Sequence, residues 1–143
     1  MRHSHFPRHS RIAAALAVAV FACTAQAETI NPRGQWIGST QTEGQRDVDK
    51  TTLSLGPADA ESVTLSIDTG RTCRLRDGTY SAHGDEAWSL RFKPAEGTNA
   101  CDRLSQGEFV LRTAGPRKLA LEAIYPDGKG GQIRRSGMLA RYP

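Results

Sequence analysis

The chain of 143 residues is 38% hydrophobic and 24% charged, enough for one small domain and too short for two of ordinary size. Its formal net charge of +4 points at first toward an anionic partner such as nucleic acid. Three of the basic residues (Arg2, Arg8, Arg11) and no acid fall within residues 1–27, however, so the remainder is nearly neutral and a basic nucleic-acid binder is disfavoured.

Residues 1–27 read as a Sec signal peptide. Met1 to Arg11 is cationic, Ile12 to Cys23 is an unbroken apolar run, and Ala25-Gln26-Ala27 has the small-x-small form of a cleavage site. As a helix the run spans about 18 Å, short of the roughly 30 Å hydrocarbon core, so no transmembrane helix is expected. Arg8 and Arg11 are not adjacent, which argues against a twin-arginine signal. The mature chain is expected to start at Glu28, as a single all-β domain over residues 28–143, and to be periplasmic or secreted. Val20-Phe21-Ala22-Cys23 offers a lipoprotein alternative anchored through Cys23, although such motifs usually carry leucine in place of Val20 and a small residue in place of Phe21.

The mature chain alternates apolar and polar residues with period two, the mark of half-buried strands. A first strand is expected over residues 35–40. Thr51, Leu53 and Leu55 follow, then Val63, Leu65 and Ile67, then a strand over residues 71–76. Trp88, Leu90 and Phe92 alternate with Ser89, Arg91 and Lys93. Phe109 and Leu111 come next, then Leu119, Leu121 and Ala123, and a last strand over residues 132–142. Asp68-Thr69-Gly70, Asp77-Gly78, Gly84-Asp85 and Pro126-Asp127-Gly128 supply turns. Consecutive strands should pair as hairpins, giving a small antiparallel eight-stranded barrel or, alternatively, a two-sheet β-sandwich. No long helix is expected, and residues 94–106 form the longest loop. The inward residues are nearly all bulky, so the barrel is expected to be filled by its own side chains, without a roomy cavity.

Cleavage would leave two cysteines, Cys73 and Cys101, in an oxidising compartment, and a disulfide is the natural inference. It closes a loop of about 28 residues, which the loop-entropy model values at about 3.5 kcal/mol.

Residues that could carry chemistry are sparse. His3, His5 and His9 lie in the opening segment, which leaves His83 as the one candidate base, in a turn-like stretch. The acids are scattered and single out no pair. Asp127-Gly128-Lys129-Gly130-Gly131 lacks the Walker spacing and a following helix, and reads as a hairpin connection. No catalytic residue, metal site or cofactor is expected. The best recognition surface is basic: Arg74 and Arg76 point outward from one strand, Arg91 and Lys93 from the next, and hairpin pairing would merge them into a stripe fit for an acidic or anionic partner. Single-stranded nucleic acid fits poorly, for want of stacking aromatics.

Gly34-Gln35-Trp36 resembles the GxW opening of lipocalin-type barrels, and with eight strands and one disulfide the chain is similar to the small periplasmic inhibitors of bacterial alkaline metalloproteases. The resemblance implies a tryptophan closing one end of the barrel beneath an arginine from a late strand, a role open to Arg134 or Arg135. The inhibitors place their first cysteine soon after the tryptophan, whereas Cys73 lies far downstream of Trp36, so their inhibitory N-terminal segment does not carry over. The expected function is binding, to a protein or an anionic envelope component, in an inhibitor-like manner in its sharpest form. The alternative is a lipocalin-like carrier of a small apolar ligand. A hydrolytic enzyme resting on His83 is third.

Overall fold

The computed structural model describes residues 30–143; the expected signal segment and the alternative anchor at Cys23 lie outside the described residues. Eight strands follow in chain order: β1 (Gly34–Thr42), β2 (Val48–Leu55), β3 (Val63–Asp68), β4 (Thr72–Ala82), β5 (Ala87–Arg91), β6 (Glu108–Thr113), β7 (Lys118–Pro126) and β8 (Gln132–Arg141). A short helix, α1 (Ala100–Ser105), precedes β6. Each strand pairs antiparallel with the next, and β1 pairs with β8 to close a barrel. The barrel, and not the sandwich, is therefore the architecture.

Period-two patterning decides what lies inside. Trp36, Leu53, Val63, Leu65, Leu90, Phe109, Leu111, Leu119, Leu121 and Leu139 are buried, while their strand neighbours face outward. Phe92 and Phe109 meet edge to face with centroids 5.2 Å apart, an arrangement that suits the aromatic quadrupole. The middle of the barrel is thus filled, as the bulky alternation implies. Where β1 and β8 join, two inward glycines are required by close approach. A Cβ on Gly38 would collide with the carbonyl oxygen of Met138, and one on Gly137 with that of Ser39.

Two local features depart from the sequence expectation. Asp77-Gly78 is not a turn but a β-bulge inside β4: Val63 pairs with Gly78 and Leu65 with Leu75, so β4 carries one extra residue. Asp77 takes the left-handed conformation (φ 56°) that short polar side chains tolerate. Beyond the bulge β4 continues to Ala82, so Tyr80 belongs to a strand and is buried. The second feature is α1, formed inside the expected loop. Asn99 caps it by accepting the Asp102 N–H at 2.9 Å, and Leu104 and Ser105 turn inward.

Candidate functional site

The two ends of the barrel are built differently. At one end the chain from Ile30 to Arg33 enters across the opening: Pro32 is buried and Ile30 packs on the core. Trp36 Nε1 donates to the Pro32 carbonyl at 2.8 Å, and the Arg141 guanidinium lies 4.6 Å above the tryptophan ring. Arg141 Nη2 also donates to the Asn31 carbonyl. The late-strand arginine over Trp36 is therefore Arg141, not Arg134 or Arg135. The register dictates this, because Trp36 is paired with Arg141, whereas Arg135 is paired with Thr42 at the opposite end of β1. Tyr80 completes the closure by donating its hydroxyl to the Gly56 carbonyl at 2.9 Å, and burial pushes that hydroxyl's pKa up.

The opposite end departs from the expectation of no roomy cavity: it is a mouth of about 900 Å³. Ile67, Leu104, Tyr125, Ile133 and the Cys73–Cys101 disulfide supply its apolar lining, and Arg71, Arg103 and Arg135 supply charge. The disulfide, with Cα atoms 5.4 Å apart, ties α1 to the start of β4 and so holds one wall in place. No carboxylate or histidine is among the lining residues.

Arg135 is the least expected member. Its side chain is only 7% exposed, and Nη1 donates to Asp49 Oδ2 at 2.6 Å and to Thr40 Oγ1 at 3.1 Å. Thr40 Oγ1 in turn shares a 2.8 Å hydrogen bond with Thr51 Oγ1, and Thr51 also donates to the Asp49 carbonyl. This network satisfies the buried hydroxyls and fixes the guanidinium beneath the mouth. Arg103 extends along α1 toward the β7–β8 turn; Nη1 donates to the Thr98 carbonyl, and Nε is buried without an acceptor among the described residues. In the β7–β8 turn the Asp127 carboxylate accepts the Lys129 and Gly131 N–H groups, and these bonds hold its pKa below the ordinary value.

The residues singled out from the sequence lie elsewhere. Arg74, Arg76, Arg91 and Lys93 are all exposed, and the register separates Arg74 from Arg91. Arg91 is paired with Thr79 on β4, whereas Arg74 is paired with Ser66 on β3. Arg74 thus stands roughly 15 Å along the strand from the residue facing Arg91. Arg74 and Arg76 instead line a shallow outer groove with Gln35, Thr52, Ser54, Thr64 and Ser66. His83 is exposed in the β4–β5 turn at the closed end. The mouth itself escaped sequence reading, although one signal was present: alternation through Ile133, Arg135, Gly137 and Leu139 puts an arginine inside. No helix among the described residues is long and apolar enough to cross a membrane. No protein-family model, curated protein or solved structure matches the chain.

Proposed function

We propose that this protein is an exported, non-catalytic binding domain of lipocalin-like build that takes an envelope component at the open end of its barrel. The observation that carries the reading is the asymmetry of the two ends. One is sealed by Trp36, Arg141 and the entering chain, and the other is a concave mouth with an apolar lining and arginines. A cleft of about 900 Å³ falls in the size range of small-molecule sites. Its lining has no base to activate a nucleophile, which supports binding over hydrolysis. The signal-like opening segment and the disulfide support export.

Native mass spectrometry of the protein purified from a bacterial envelope fraction tests this. The chain should begin at Glu28 and carry a small bound mass that is lost in Ile133→Trp, which fills the mouth. Thr72→Trp on the exposed rim serves the same purpose should the first variant fail to fold. A bound mass that persists in a folded, blocked variant would overturn the mouth as the site. A protein partner retained by the blocked variants would favour the inhibitor-like form acting through another surface.

A further inference from the structure

We infer that the mouth is selective for an amphiphile with an anionic head, a single-chain carboxylate, whose chain lies on the apolar lining and whose head meets Arg135 and Arg71. The inference rests on the mouth being the binding site. Its first ground is charge: of the three arginines that line the mouth, Arg135 alone is paired with a carboxylate among the described residues, that of Asp49, so Arg71 and Arg103 leave a positive field that a neutral apolar guest would not answer. The second is the construction of Arg135. A guanidinium carries five N–H donors in a planar fork, and only Nη1 is engaged, by Asp49 and Thr40. Its remaining donors have no acceptor among the described residues, yet they are not sealed, since Arg103 Nε is the one buried donor left without a partner there. They are therefore accessible on a residue that lines the mouth, and the Asp49 bond holds the guanidinium, whose fork can pair with a carboxylate, in place.

The third ground is shape. The positive groups surround a concave apolar surface and do not run along an outer face, which favours a compact amphiphile over a polyanion. The filled middle of the barrel, with Leu65, Phe109 and Leu121 buried, stops the guest at the mouth. Chain length should therefore matter only until the mouth is full. Each methylene placed on the lining is worth about a fourfold gain in affinity, and the gain should cease once the chain outruns the mouth.

The test is a calorimetric titration of the delipidated mature protein with n-alkanoates of increasing length, each below its micellar concentration, beside the n-alkanols of equal length. The carboxylates should bind at least tenfold more tightly than the alcohols, with affinity levelling off along the series. Arg71→Gln and Arg135→Lys should each weaken carboxylate binding about five- to tenfold while leaving alcohol binding unchanged; Arg135→Lys keeps the charge beside Asp49 and removes only the fork. Equal affinity for alcohol and carboxylate, both lost in a blocked mouth, would overturn the anionic preference and leave the mouth standing. Binding of neither series, or binding indifferent to Ile133→Trp and Thr72→Trp, would overturn the mouth and this inference with it.

Discussion

Arg135 and Asp49 form an ion pair largely withdrawn from water, with side-chain exposures of 7% and 17%. Such a pair adds little net stability when intact, but removing one partner strands the other charge. Asp49→Asn should therefore destabilise the fold by about 3 kcal/mol, read as a lower urea midpoint; an unchanged midpoint would mean that water already solvates Arg135. Asp127 behaves differently because it is only partly buried and is held by the backbone of its own turn. The N–H groups of Lys129 and then Gly131 lower its pKa from 3.8. A group with a depressed folded pKa contributes above its unfolded pKa and ceases to contribute as pH falls through the folded one. The β7–β8 turn should thus stay ordered through pH 3.8 and loosen only in stronger acid. The Lys129 and Gly131 amide shifts should titrate together with a midpoint below that value, and a midpoint at or above it would sink the assignment.

At the level of elements, the strands were legible because each presents one wet face, so that alternation reports both their existence and their orientation. The bulge in β4 was not, since Asp77-Gly78 satisfies the chemistry of a turn and of a bulge equally well. Only the pairing of Val63 with Gly78 and of Leu65 with Leu75 separates the two. The helix α1 was hidden for another reason: at six residues it is too short to show a period and far too short to be stable alone. It persists because Cys101 is bonded to Cys73 and because Ser105 Oγ accepts the Ala95 N–H at 2.9 Å. Replacing both cysteines by serine should cost about 3 kcal/mol and, more tellingly, should abolish hydrogen-exchange protection in α1 while β1 and β8 keep theirs. Retained protection in α1 would show that Leu104 packing alone holds that wall of the mouth.

On the scale of the whole molecule, the mouth could not be read from the sequence because its residues come together only when the ring closes. Ile67 and Arg71 belong to the β3–β4 hairpin, Arg103 and Leu104 to α1, and Tyr125 and Arg135 to β7 and β8. Closure depends on the β1–β8 seam, the one strand pairing among the described residues not made between chain neighbours. Gly38 and Gly137 sit in that seam, each facing the backbone of the opposite strand too closely for a side chain. Gly137→Ala must push the strands apart, and overpacking of this kind costs about 2–3 kcal/mol. Ser136→Ala on the exposed side of the same strand should stay within about 0.5 kcal/mol of the parent. Because β1–β8 pairing also sets where Arg135 meets Thr42, the glycine variant should lose carboxylate affinity at the mouth along with stability, whereas the serine variant should lose neither. Urea unfolding and alkanoate titration of the two proteins side by side check this. Loss of stability with full mouth affinity would show that the seam holds the barrel closed without positioning Arg135.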